Sequence, residues 1–305
     1  ALEVGQDDFQ IYADIAASAQ KVLEDILFLI FKLAHKLTNE NNFLFSGGVA
    51  MNSAAVSKTT KLDFIKKLNI PPSPGDSGAA IGAAYYGFIQ NINEKSLEFN
   101  SENNINNSLF PGKTPSNEIF FDLVFDRIAT EENLIEKTAE VISQNEIIAT
   151  CYSNIETGPR ALGHRSLICN AHNADLIKVL STDIKKRNLF RPTAPVILKK
   201  NADNYFYLDK KLINCYTHMA TTAVPKESIL NEIKGVIHID NTSRVQTCDE
   251  NSLLGKILMK LEDFKIHLIA NTSFNISSDP MVYDKEDAFL AVERMGIKYL
   301  LTETG

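Results

Sequence analysis

Two arginines, two glycines and a proline fall within one short run, Gly158-Pro159-Arg160-Ala161-Leu162-Gly163-His164-Arg165. Packing alone does not demand that combination. Glycine opens backbone angles closed to other residues, proline stiffens the turn, and planar guanidinium forks match the paired oxygens of phosphate or carboxylate. The chemistry to expect is anion binding, with the loop cradling phosphate. From Gly158 to Arg191 the chain carries seven Lys or Arg residues against two acids, although its net charge is -7. The basicity is therefore local. A solvated face around a tight turn would use the same residues, but a second cluster, Lys185-Lys186-Arg187 with Arg191, weighs toward a pocket. Cations suit a helix C-terminus, which accounts for Lys186 and leaves Arg191, between Phe190 and Pro192, without a structural reason.

Polar residues also gather where apolar strands are expected to end. Asn271-Thr272-Ser273-Phe274-Asn275 follows Leu268-Ile269-Ala270, and Thr242-Ser243-Arg244 follows Val236 to Ile239. In α/β sheets ligands bind at the carboxyl ends of strands, though Asx and Ser/Thr turns use the same residues. His164, His238 and His267 lack metal-ligand spacing and His35 lies on a long helix, so all read as structural except His164, which sits between two arginines. Cys151, Cys169, Cys215 and Cys248 are too far apart in sequence for a zinc site or a disulfide framework and read as reduced thiols.

The elements that must position these groups follow from periodicity. Ile11 to Leu37 places Tyr12, Ile15, Ala16, Ala19, Leu23, Ile26, Leu27, Ile30, Leu33, Ala34 and Leu37 at helical spacing, with Asp7 or Asp8 as cap. Phe43 to Phe45 reads as a strand entering Gly47-Gly48, with a helix starting near Asn52. That strand, glycine turn, helix order is one that nucleotides use, and equally a mere turn. Asp76, after Gly75, suits the cap of a small-residue helix running through Ala84. Residues from about Gln90 to Asn117 are rich in Asn and Ser and read as a linker. Beyond it, helices are expected from Thr130, near Ala174 to Lys186, Ser252 to Glu262 and Lys285 to Met295. Strands are expected at Ile147 to Tyr152, Ala194 to Leu198, Val236 to Ile239, His267 to Ala270 and Lys298 to Leu301. The sum is an α/β protein with a mixed sheet covered by helices. With 305 residues and 44% hydrophobic composition it is large enough for two cores. No apolar run approaches a membrane span. The chain opens Ala1-Leu2-Glu3-Val4 without an initiator methionine or a basic-then-apolar leader, which leads us to expect a cytoplasmic protein and a start inside a longer chain.

Gly158 to Ser166, then Ile184 to Pro195, Asp240 to Thr247 and Asn271 to Asn275, resemble in order the C-terminal domain of the NodU-type O-carbamoyltransferases. Gly47-Gly48-Val49-Ala50-Met51-Asn52 and Pro74 to Ala84 resemble the last part of that family's actin-like, TsaD-like domain. Departures are Asn188, where the family usually has an acid, and Ser278-Asp279, where it has Gly-Glu. The resemblance implies that residues 1–92 are the end of an actin-like (ASKHA) lobe, 93–117 a linker, and 118–305 a YrdC-like carbamoyl-adenylate-forming domain. It implies ATP, Mg2+ and carbamoyl phosphate as ligands and a small hydroxyl compound as acceptor. Arg160, Arg165, Lys185 and Arg187 would be catalytic anion clamps. Arg191, Arg244, Asn271, Ser273, Asn275 and His164 would bind substrate, and Gly47, Gly48 and Asn52 a nucleotide in the actin-like part. Asp76 would be one ligand of an Fe2+ or other divalent metal whose paired histidines belong to a missing N-terminal half.

Other readings of these residues are a threonylcarbamoyl-type tRNA enzyme, half of an actin-like kinase, and a non-catalytic nucleotide-binding module. A pI near 5.5 without a broad basic surface counts against RNA. A kinase half would leave the Arg160 loop unexplained.

Overall fold

The structure, a computed structural model, describes residues 6–95, 109, 110, 112, 130–188, 190, 191, 193–276 and 279–303. Helix α1 (Gln6–Thr38) leads to strand β1 (Asn42–Leu44), a 3-10 turn at Gly48–Met51, helix α2 (Ser53–Thr59), strand β2 (Lys67–Asn69) and helix α3 (Asp76–Lys95). β1 and β2 pair in parallel. α1 begins at Gln6, so Asp7 and Asp8 stand inside its first turn rather than ahead of it. Its packed face only partly follows the expected stripe. Leu27 of that stripe is buried, together with Phe31 outside it, and the 4% exposed Glu24 meets Lys58 of α2 at 2.8 Å, whereas Ile15, Ile26, Ile30, Leu33 and Leu37 are exposed. The expected stripe is real in sequence, but among the described residues α2 lies against a different strip of the helix.

Beyond residue 129 come α4 (Glu131–Ser143), β3 (Ile148–Cys151), β4 (Arg165–Asn170), α5 (Ala174–Val179), β5 (Ala194–Leu198), α6 (Ala202–Tyr205) and β6 (Phe206–Tyr207). They are followed by β7 (Val224–Pro225), β8 (Gln246–Cys248), α7 (Leu253–Leu261), β9 (Leu268–Ser273), α8 (Lys285–Met295) and β10 (Tyr299–Leu301). Six strands form one sheet in the order β10-β3-β4-β9-β5-β8. The outer pairs β10/β3 and β5/β8 are parallel and the inner pairs antiparallel, giving the expected mixed sheet.

Period-two alternation divides the core between the faces. Ile148, Ile168, Val196 and Ile269 point to α4 and α7, while Ala149, Leu167, Ile197 and Leu268 point the other way. On that second face the core runs without a break into Val56, Ile65, Leu68 and Ile70 of the N-terminal part. On this face the N-terminal part and the sheet share one core, fastened across the 3-10 helix Lys210–His218. Lys211 Nζ donates to Thr60 O at 2.6 Å, and His218 Nε2 lies 2.9 Å from Ile70 O. Burial pushes His218 down to about 4, so its neutral ring donates there.

α4 and α7 form where helices are expected, and Thr130 and Ser252 cap them, each accepting a backbone N–H. β4 and β8 were not expected, and the strand expected at Val236 to Ile239 does not form. Lys234–Val236 is a 3-10 turn, and His238 N donates to Thr242 O at 2.7 Å, closing a loop through Asn241 at φ 60. Ile239 is left 98% exposed, so the apolar run that suggested a strand has no sheet to join. α3 continues to Lys95, past Ala84 and into the expected linker, most of which lies outside the described residues.

Candidate functional site

The Arg160 loop is shaped by a carboxylate. Glu156, 7% exposed, accepts at Oε1 from the backbone N–H of Leu162, His164 and Arg165 at 2.8 to 2.9 Å. These amides are therefore committed, and the loop does not cradle an anion through them. Two glycines let the loop pass its neighbours. A Cβ on Gly158 (φ 88) would come within 2.1 Å of Pro72 O, and one on Gly163 (φ 122) within 2.6 Å of Leu254 Cγ. The result is a tight bend that pins the loop against the Pro71–Pro74 segment and leaves side chains to do the binding.

Four of those side chains meet. Arg160, Arg187, Arg191 and Arg244 line a cleft of about 350 Å3 together with Phe190, His238, Asn271 and Ser273. The described lining contains no carboxylate. Burial, then repulsion by Arg160, Arg187 and Arg191, pulls Arg244 down to about 9. Burial and Arg191 likewise lower Arg160 and Arg187. Nε of Arg187 and Nε of Arg244 are buried without a hydrogen-bond partner among the described residues. Crowded cations and unspent donors are both relieved by a multiply charged anion.

The path of the chain after α5 explains how Arg187 reaches this place. The helix continues as a π-turn over Leu180–Ile184, with Lys185 N donating to Leu180 O at 3.0 Å, and Lys186 then takes φ 52. This one-residue slip turns Lys185 inward to 0% exposure and leaves Lys186 outside. Arg187 then donates to Thr272 Oγ1 at 2.9 Å and Ser273 Oγ at 3.1 Å at the end of β9.

Four expected residues have other work. Arg165 is fully buried, and its guanidinium donates to the carbonyls of Tyr283, Tyr152 and His164 at 3.0 Å and of Ser153 at 3.3 Å. It fastens strands and is not a clamp in the cleft. Lys185 also stays out of the lining. Its Nζ is held by Ser273 Oγ at 3.2 Å, Asn275 Oδ1 at 2.7 Å and the carbonyls of both residues, so it supports the 271–275 turn from behind. Asn275 is spent in the same network, donating from Nδ2 to Asp279 O at 2.7 Å. His164 stacks on Phe110 with centroids 3.7 Å apart and holds Asn154 O at 2.7 Å, facing a second cavity of about 610 Å3. His238, Phe190, Met219 and Thr272 line the cleft without having been expected there. Phe190 and Thr272 had a signal in their neighbours Arg191 and Ser273.

In the N-terminal part, Gly47 (φ 102) and Gly48 are exposed with open space at their Cβ positions, and Arg160 Nη2 lies 3.4 Å from Met51 O beside them. Asn52 caps α2 through Ala55 N at 3.0 Å and exchanges hydrogen bonds with Gln20 at 2.8 and 3.2 Å, so its amide is occupied. Asp76 is the exposed first residue of α3. Among the described residues no three His, Cys, Asp or Glu gather where they could hold a metal ion, so the residues present do not fit a divalent centre. The four cysteines are buried and free. No helix among the described residues is long and apolar enough to cross a membrane.

Residues 139–304 match the family model of the carbamoyltransferase C-terminus, and residues 3–85 that of the carbamoyltransferase N-terminus. The uncharacterized protein MJ1051 of Methanocaldococcus jannaschii is 32% identical over 93% of this chain and 54% of its own length. The uncharacterized protein sll1178 of Synechocystis is 27% identical over 95% of this chain and 51% of its own. Nodulation protein NolNO of Sinorhizobium fredii is 27% identical over 94% of this chain and 43% of its own. The chain thus spans about half the length of the curated relatives it matches. Among solved structures, full-length HypF in its phosphate- and nucleotide-bound form covers 55% of this chain and 24% of its own at 18% identity and a TM-score of 0.42.

Proposed function

This chain belongs to the carbamoyltransferase family, and from that premise we propose that its arginine cleft binds carbamoyl phosphate and ATP and makes a carbamoyl-adenylate, whose carbamoyl group the whole protein passes to a hydroxyl of a small acceptor. The observation that carries the reading is the convergence of Arg160, Arg187, Arg191 and Arg244 on one cleft whose described lining has no carboxylate. Two polyanions repel each other, and holding both requires more positive charge than one phosphate would. The sum of the step is carbamoyl phosphate, ATP and water giving carbamoyl-adenylate, pyrophosphate and phosphate.

In this reading Arg187, already held by Thr272 and Ser273, and Arg244, with a free buried Nε, grip the less mobile phosphate oxygens. Arg160 and the exposed Arg191 close over the ligand from the rim. Their contribution is positioning and neutralisation of charge as the phosphorus–oxygen bonds exchange. Mg2+ would arrive on the triphosphate, since the described lining offers it no carboxylate, and would screen charge there. The acceptor site and a divalent centre in the actin-like part lie beyond what the described residues build, and no step here depends on them. YrdC-like is our proposal for the mixed-sheet unit, with a boundary near residues 93–117.

The chain, given ATP, Mg2+ and carbamoyl phosphate, is expected to release pyrophosphate only when both substrates are present. Arg187→Ala and Arg244→Ala should silence that signal, and Lys200→Ala, whose parent residue pairs with Glu250 at 2.6 Å on the surface, should not. Pyrophosphate release independent of carbamoyl phosphate, or its persistence in both arginine variants, would sink the reading.

A further inference from the structure

Asn271 is 1% exposed at the floor of the arginine cleft. Its Nδ2 donates to Ala161 O at 3.0 Å and to Gln246 Oε1 at 2.8 Å. An amide nitrogen has two hydrogens, so both are spent. Gln246, 3% exposed in the wall between this cleft and the second cavity, donates from Nε2 to Leu162 O at 2.9 Å, which leaves its oxygen for Asn271. Turning either amide over would set oxygen against oxygen. The chain Leu162 O, Gln246, Asn271 is thus polarised in one direction and ends on Asn271 Oδ1, which is buried without a donor among the described residues.

A buried acceptor left unpaired is costly, and one carried by a residue that lines a cleft is open to a donor that enters there, a ligand N–H in exchange for water. The charged groups around the cleft, Arg160, Arg187, Arg191 and Arg244, can only donate. The complementary ligand therefore carries anionic oxygens for the arginines and an N–H for Asn271. We infer that Gln246 is a positioning residue which, by occupying Asn271 Nδ2, holds Asn271 Oδ1 ready for an N–H donor and so makes the cleft select an acyl phosphate bearing an amide nitrogen over one that lacks it. This rests on the reading of the cleft as a carbamoyl phosphate site.

The discriminating pair is carbamoyl phosphate and acetyl phosphate, which differ by NH2 against CH3 at equal charge. Equilibrium binding of both, with inorganic phosphate as a third probe, should show the wild-type chain preferring carbamoyl phosphate by about tenfold or more. Gln246→Met should shrink that preference severalfold while leaving acetyl phosphate affinity within about twofold. A merely structural role would weaken both ligands together in Gln246→Met, and that result overturns the assignment. Equal binding of the two acyl phosphates by the wild-type chain overturns it without recourse to any variant and leaves the anion cleft standing. Failure of all three probes to bind removes the carbamoyl phosphate reading and this inference with it.

Discussion

Arg187 Nη1 donates to Thr272 Oγ1 at 2.9 Å, tying the residue that follows the π-turn to the end of β9. With Nη2 on Ser273 Oγ at 3.1 Å, the guanidinium is held by hydroxyls on adjacent residues before any ligand arrives. Preorganisation of this kind spares a ligand the entropy of ordering a long side chain. Arg191 is exposed and has no such hold among the described residues, so the two arginines should differ in what they contribute.

Calorimetry with ATP or carbamoyl phosphate should therefore rank the cations. Arg187→Ala is expected to weaken binding by about 2 kcal/mol or more and Arg191→Ala by about 1 to 2 kcal/mol, with Lys200→Ala within about 0.5 kcal/mol of wild type. Small and equal effects at all three would mean that the basic cluster is a solvated face.

Arg165 should behave in the opposite way. Its guanidinium satisfies carbonyls of Tyr152, Ser153, His164 and Tyr283, and removing it strands several buried acceptors at once. Arg165→Met should lower unfolding free energy by about 3 kcal/mol or more in urea titration. If the variant keeps wild-type stability and loses anion affinity, Arg165 is a ligand contact after all.

The contrast between Arg165 and Arg187 shows what the sequence could and could not convey. Both stand in basic, turn-rich runs, and only the run itself is visible. Arg187 is sent to the cleft by a one-residue π slip, and Arg165 is drawn inward by carbonyls as far away as Tyr283. Neither cause has a local signature. Strands with alternating apolar faces, such as Ile148–Cys151 and Ala194–Leu198, were legible because period two is local. Arg165–Asn170 was missed because the glycines and arginines ahead of it masked a strand that is buried throughout. His238 was hidden by an apolar run that reads as strand and folds as a turn. On α1 the helix is legible from its local period, while the face that packs is chosen by α2.

The loop glycines make a graded prediction. Gly163→Ala must bring Cβ against Leu254 at positive φ, and Gly158→Ala must bring it against Pro72 O. Each should cost about 2 kcal/mol or more of stability, from strain and from the displaced neighbour. Gly48→Ala, with nothing within 4 Å and no positive φ, should stay within about 0.5 kcal/mol. Thermal or urea unfolding of the three variants decides it, and comparable losses at Gly48 and Gly163 would contradict the packing described for the loop.

Lys185 supplies a pH dependence whose sign can be worked out. Burial, then repulsion by Arg187 and Arg191, brings its ammonium down to about 7. The unfolded chain holds that proton to roughly pH 10.4, as an ordinary lysine does. Between about pH 7 and 10 the unfolded state therefore binds more protons than the folded one, and stability rises with pH by up to about 1.4 kcal/mol per unit. Below about pH 7 both states are protonated, the dependence on this group vanishes, and the full cost of burying the charge remains. Lys185→Met removes the group, so the difference in unfolding free energy between wild type and variant should stay flat below about pH 7 and move in favour of wild type above it. A bound anion stabilises the ammonium, so saturating phosphate should shift the onset of that rise to higher pH. Urea unfolding of both proteins from about pH 6 to 9, with and without phosphate, tests the claim. A difference that is constant across the range would mean that Lys185 keeps its proton throughout, and that its four oxygen partners on Ser273 and Asn275 outweigh burial and the neighbouring arginines.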